Sequence, residues 1–189
     1  MIILRSICKS FDGHDVLNNF NISFDDGSRS ALMGPSGCGK TTLFKIISGL
    51  EKPDSGTLSG TESMRFSAVF QDDRLCENMS LYANMKLVCP KSTKKSEILN
   101  GIQELGLGGF ENKPVSTLSG GMKRRASVLR AMLAEFDTLI LDEPFNGLDR
   151  ESKAVTSKYI LDRLNSRTLI IITHNPEDAE LLECKKITL

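Results

Sequence analysis

The sequence has no excess of charge of either sign. Lys plus Arg number 24, as do Asp plus Glu. Net charge therefore gives no electrostatic pull toward nucleic acid or an anionic membrane. No apolar run approaches the ~20 residues that span a bilayer. The opening Met1-Ile2-Ile3-Leu4-Arg5 lacks the basic region and small-residue cleavage site of a secretion signal. The five cysteines, at 8, 38, 76, 89 and 184, are odd in number and form no Cys-x-x-Cys. That argues against a disulfide framework or zinc site and for a reducing cytosol. There is no internal repeat, low-complexity tract or disordered tail. The length suits one domain, or one with a small subdomain, and 40% apolar residues suffice for a sizeable core.

What is present centres on Gly34-Pro35-Ser36-Gly37-Cys38-Gly39-Lys40-Thr41. This is the P-loop pattern of glycine, four residues, then Gly-Lys-Thr. The apolar Ala31-Leu32-Met33 precedes it, and a helix-like run from Thr42 to Ile47 follows. Glycines let the loop turn its N–H groups inward around a polyphosphate, and the helix N-terminus adds unpaired donors and partial positive charge. Lys40 is expected to reach the β- and γ-phosphates and the Thr41 hydroxyl to bind Mg2+. Cys38, inside the loop, is the one cysteine with a functional expectation: its alkylation should block nucleotide binding.

Along the chain, Ile2–Cys8 and Phe20–Phe24 read as strands, with Lys9–Gly13 a turn-rich stretch between them. Strands joined so closely imply a small antiparallel layer ahead of the main sheet. Gly49 reads as a helix C-cap and Pro53-Asp54-Ser55-Gly56 as a turn. Arg65–Phe70 is a strand ending at Gln71. A helical insertion follows, with Leu81, Met85 and Val88 on one face and Ile98, Ile102 and Leu105 on another. A further helix opens at Leu118-Ser119-Gly120-Gly121 and buries Ala126, Leu129 and Leu133. Its Lys123-Arg124-Arg125 reads as a solvated basic face. Thr138–Leu141 and Thr168–Ile172 are continuous apolar runs, as in strands buried on both faces. A helix from about Glu151 to Leu164 separates them, and a short helix after Asn175-Pro176 leads to a last strand at Lys185–Leu189. Strands alternating with helices predict a mostly parallel sheet.

Asp142-Glu143 closes the first buried run. Charged groups at the carboxyl end of such a strand lie beside the phosphate loop in open α/β sheets. Asp142 is expected to hold the Mg2+ shell, and Glu143 to polarise a water for in-line attack on the γ-phosphate.

With these residues in view, the chain resembles the ATP-binding subunit of an ABC transporter. Leu118-Ser119-Gly120-Gly121 is similar to the family's signature motif, Gln71 to its Q-loop glutamine, Asn146-Gly147-Leu148-Asp149 to its D-loop, and His174 to its switch histidine. Phe11 falls at the A-loop aromatic, with Val16 where the family packs adenine. The motifs keep the family's order from residue 11 to residue 174.

The resemblance implies an α/β P-loop NTPase fold with a mostly parallel central sheet, an antiparallel β layer and a small helical subdomain. Residues 1–71 and 126–189 are expected to form the core, and about 72–125 the helical subdomain. The resemblance further implies ATP and Mg2+ as cofactors and Phe11 stacking on adenine. The nucleotide is expected to contact Val16, Gly34 to Thr42 and, from a second subunit, Ser119, Gly120, Gly121 and Asp149. Gln71 and His174 are expected to assist Glu143, with Gln71 completing the Mg2+ shell of Thr41 and Asp142.

A head-to-tail dimer with a second copy or a homologous ATPase subunit, a transmembrane permease and a solute-binding protein are the implied partners. The implied location is the cytoplasmic face of the membrane. Val69–Leu75 resembles importers of the nitrate, sulfonate and taurine group.

Three departures stand out. The signature ends in Met122 rather than Gln, the A-loop carries Phe rather than Tyr, and the pattern has no C-terminal regulatory domain. A soluble ABC ATPase of DNA repair or translation is the competing reading, but the sequence has no second ATPase domain, long coiled coil or zinc motif. A small-molecule kinase would not need Leu-Ser-Gly-Gly or His174.

Overall fold

The computed structural model describes residues 1–35 and 37–189. Strands β1 (Ile2–Phe11) and β2 (His14–Phe24) form a long antiparallel hairpin, and β4 (Ser55–Ser59) pairs antiparallel with the other edge of β1. The turn is much shorter than the sequence suggested. Only Asp12 and Gly13 lie outside the strands, both at positive φ (49° and 80°), and Phe11 pairs directly with His14. Two such residues match the right-handed twist of a hairpin. Strand β4 was also missed, because Ser55-Gly56 carries turn chemistry. A Cβ on Gly56 would lie 2.4 Å from the Ser6 carbonyl oxygen, so this glycine serves close strand approach.

The second sheet has the order β5-β6-β7-β3-β8 and all its pairs are parallel. Its strands are β3 (Arg29–Met33), β5 (Phe66–Val69), β6 (Thr138–Asp142), β7 (Thr168–Ile172) and β8 (Lys185–Thr188). Helices connect them: α1 (Lys40–Ile47), α2 (Leu81–Lys86), α3 (Lys95–Glu104), α4 (Gly120–Leu133), α5 (Arg150–Leu164) and α6 (Pro176–Leu181).

Period-two alternation sorts the strands' side chains onto two cores. Ile140, Ile170, Ile172 and Leu32 face α1 and the antiparallel layer. Leu139, Leu141, Leu169, Ile171 and Ala31 face the core that includes Leu129 of α4 and Ile160 of α5. This two-sided burial explains the unbroken apolar runs. Helix α1 sinks Leu43, Phe44, Ile46 and Ile47 into its core, each worth roughly 1.5–3 kcal/mol of burial. Gly49 ends it as expected: its amide reaches the Ile46 carbonyl while Leu50 reaches that of Lys45, the paired bonds of a Schellman cap.

In the helical stretch, Leu81, Met85, Ile98, Ile102 and Leu105 are buried. Val88 departs from its expected face because α2 ends at Lys86, which leaves Val88 exposed. Leu133 is only half-buried at the end of α4, while Ala126 and Leu129 are buried. Helix α4 is continuous through residues 125 and 126. Among the described residues, no helix is long and apolar enough to cross a membrane.

Candidate functional site

Because the strands are parallel, their carboxyl ends share one edge. The phosphate loop follows β3, His174 follows β7, Asp142-Glu143 closes β6 and Gln71 follows β5. These are consecutive strands in the sheet. A cleft of about 520 Å3 opens there, lined by Val16, Gly37, Gly39, Lys40, Thr41, Thr42, Gln71, Asp142, Glu143, Ile172 and His174.

The loop is shaped by contact. Gly39, at φ 95°, is pressed against the hairpin: a Cβ there would meet Leu17 Cδ2 at 2.8 Å and the Val16 carbonyl at 2.9 Å. Gly39 is also the N-cap of α1, so no side chain caps that helix, and no acidic residue lies in its first turn. Helices α2, α4, α5 and α6 are each capped by a side chain (Ser80, Ser119, Asp149 and Asn175). Among the described residues, the α1 donors that open into the cleft thus carry no side-chain cap, as a site for an anion requires. Lys40 Nζ lies over the loop, donating to the Gly34 and Pro35 carbonyls at 2.8 Å each and to Cys38 Sγ at 3.5 Å. Ser36 lies outside the described residues.

Across the cleft, Asp142 is 3% exposed. Its bonded side-chain partner is the Thr41 hydroxyl, which donates to Oδ2 at 3.3 Å. Burial pushes its pKa up, against the smaller effects of Thr41, Arg124 and Lys40. A buried carboxylate so weakly compensated, beside a hydroxyl and in a cleft that Gln71 also lines, is a hard oxygen donor set of the kind Mg2+ takes.

Glu143 sits at φ 49°, a left-handed conformation that costs a non-glycine residue about 1–2 kcal/mol. Its amide donates to the Ile172 carbonyl at 2.8 Å. Its Oε1 pairs with His174 Nδ1 at 2.8 Å, and that hydrogen bond pushes the His174 pKa up. The imidazole is otherwise exposed, so it projects into the cleft from a fixed ring edge.

Other expected residues lie elsewhere. Among the described residues, Phe11, Ser119, Gly120, Gly121 and Asp149 do not line this cleft. Phe11 is 41% exposed at the hairpin tip, with Lys9 Nζ 5.0 Å from its ring centre. Ser119 caps α4 by accepting from the Met122 amide at 3.3 Å. Asp149 caps α5 by accepting from the Ser152 amide at 2.7 Å, and that bond lowers its pKa. The two caps are neighbours: a Cβ on Gly121 would sit 3.3 Å from the Gly147 carbonyl, so a small residue lets the loops touch.

The reading of Lys123-Arg124-Arg125 as a solvated face needs correction. Arg124 is buried at 4% exposure. Its guanidinium donates to the carbonyls of Phe70 at 2.6 Å, Gln71 at 3.1 Å and Asp142 at 3.4 Å, and pairs with Asp73 at 3.2 Å. Arg125 donates to the Leu105 carbonyl at 2.6 Å. Sequence reading also missed Thr173, Asp178 and Lys153, which are linked behind Glu143 and carry no motif.

A family model described as ABC transporter matches residues 17–146. Proteins described as spermidine/putrescine import ATP-binding protein PotA, from Mycoplasma capricolum and Mycoplasma mycoides, are each 35% identical over 93% of this chain and 55% of their own length. The chain thus spans about half the length of the curated relatives it matches. A solved ATP-binding subunit of an ABC transporter superposes with a TM-score of 0.86 at 25% identity, over 100% of this chain and 85% of its own. The dimeric bacterial ABC transporter cassette MJ0796 shares the fold, with a TM-score of 0.85 at 23% identity over 100% of this chain and 94% of its own. The family model covers most of the chain, so the chain belongs to the ABC transporter family, as an ATP-binding domain.

Proposed function

We propose that this chain binds and hydrolyses ATP to drive solute movement through a partner permease at the cytoplasmic face of a membrane. One observation carries the reading: a helix N-terminus with a glycine N-cap, Lys40, a buried carboxylate and the Glu143–His174 pair open into a single cleft. The loop amides and Lys40 hold the phosphates, while Thr41, Asp142 and Gln71 hold Mg2+. When bound, Mg2+ offsets charge on the β- and γ-phosphate oxygens. Glu143 accepts a proton from the attacking water, and His174 keeps its carboxylate turned to that water. Val16 packs against the adenine, and Phe11 closes on it from the hairpin tip.

Ser119–Gly121 lies off the chain's own cleft, which supports a head-to-tail dimer. The α4 N-terminus of one copy closes the nucleotide of the other, and Asp149 links the two sites. Residues 72–125 act as the helical subdomain, and a groove of about 370 Å3 joins it to the core. Exposed Leu50 and Val88 line that groove with Phe70 and Arg130, a fit for an amphipathic permease segment. For the solute, the two named relatives support a polyamine. The nitrate, sulfonate and taurine reading rests on Val69–Leu75 alone.

Glu143→Gln tests the reading. It should leave ATP affinity within about threefold and lower turnover by at least about 100-fold. It should also convert the chain to a dimer by light scattering when ATP is added. A monomer with normal turnover overturns the assignment.

A further inference from the structure

We propose that Thr173, Asp178 and Lys153 form a positioning relay that fixes the Glu143–His174 pair from helix α5. Thr173 is fully buried between two carboxylates. Its Oγ1 is 3.0 Å from Asp178 Oδ2 and 3.3 Å from Glu143 Oε2, and it accepts from the Asn175 amide at 3.1 Å. A hydroxyl has one proton. With the amide on one lone pair, that proton is shared between the two carboxylates. It pins Glu143 Oε2 while His174 holds Oε1 at 2.8 Å. The Glu143 carboxylate is thereby fixed at both oxygens.

The second carboxylate is buried, with Asp178 at 3% exposure, and Lys153 Nζ pairs with its Oδ1 at 2.9 Å. Without that ammonium, two like charges would face each other across one hydroxyl. Lys153 lies one turn into α5, and its amide bonds to the Asp149 carbonyl at 2.9 Å. The relay therefore runs from the Asp149 cap through Lys153, Asp178 and Thr173 to Glu143. None of the three lines the cleft among the described residues, so they act through Glu143 and not on the nucleotide. The inference rests on the hydrolytic reading of Glu143 and His174.

The test separates positioning from folding. Thr173→Val should lower kcat roughly tenfold, the scale of one hydrogen bond to a charged group. KM and the Kd of a fluorescent ATP analogue should stay within about twofold. Thr173→Ser restores the hydroxyl and should return kcat to within about threefold of the wild type. If Thr173→Val does not fold, Lys153→Met decides, with kcat expected to fall about threefold or more. Unchanged kcat in the folded variant, or no rescue by serine, overturns the relay.

A readout independent of turnover is the 15N spectrum of the imidazoles. The chain has two histidines, so His14 is an internal reference. Thr173→Val should move the His174 Nδ1 resonance and leave that of His14 in place; an unmoved His174 overturns the relay. A wild-type chain with no turnover sinks the ATPase reading instead, while this spectrum still decides the relay.

Discussion

The two edges of the parallel sheet use the same residue types to opposite ends. At the carboxyl edge, Asp142 is buried, weakly compensated and raised in pKa, Glu143 is held at a strained φ, and the α1 N-terminus is uncapped. At the opposite edge, Asp137 precedes β6 and is clamped by Arg65, whose guanidinium also reaches Glu135. Its pKa is held down at about 2. One strand thus separates a carboxylate set for stability from one whose charge is a cost to the apo fold. The contrast places function where electrostatic satisfaction is withheld, and it predicts that the two edges answer to different measurements.

The largest effect should come from Lys40→Ala. Removing the ammonium over the loop should weaken nucleotide binding by about 100-fold or more. Its bonds go to carbonyls and a thiol of its own loop, so the thermal midpoint should move by no more than about 2 °C. Isothermal titration with ATP and a calorimetric melt check both halves. Unchanged affinity removes the basis of the functional edge.

Asp142→Asn should sharpen the contrast by moving activity and stability in opposite directions. A raised folded pKa means that ionised Asp142 disfavours the native state above its ordinary pKa. The neutral amide relieves this cost and still accepts from Thr41. The apo chain should melt roughly 1–3 °C higher, while Mg2+-dependent turnover falls at least about 100-fold. A lower melting point together with lost turnover would mean that Asp142 is structural and would break the comparison.

How far the sequence reveals these edges follows from range of interaction. The phosphate loop, Asp142-Glu143, the apolar strands and the α5 span were legible because each depends on neighbours in sequence. The parallel α/β architecture followed from their alternation. Arg124 was not legible, since a basic triplet on a helix looks the same whether it meets water or the carbonyls of Phe70, Gln71 and Asp142. Thr173 and Asp178 were equally hidden, because their meaning lies in Glu143, thirty residues from Thr173. Strand β4 was masked by Gly56, which serves close packing against β1 and not a turn. Phe11 was legible as an aromatic near a turn, but its place at the tip, clear of the cleft lining, came from the strands extending to Asp12-Gly13.

The smallest effect belongs to the opposite edge. Arg65→Ala removes the guanidinium from Asp137 but leaves the backbone bond from residue 65, which Asp137 Oδ2 accepts at 2.9 Å. A carboxylate with a depressed folded pKa stabilises the native state above its ordinary value of 3.8, and that stabilisation is lost as pH falls toward about 2. Wild type should therefore exceed the variant in stability at neutral pH by only a degree or two of melting temperature, since the pair is solvent-exposed. The gap should narrow between pH 3.8 and about 2 and close below it. Melts of both chains at pH 7, 5, 4 and 3 measure this, with turnover at neutral pH unchanged. A gap that persists undiminished at the lowest pH would show that Arg65 acts through packing, and the ionic account of this edge would fall.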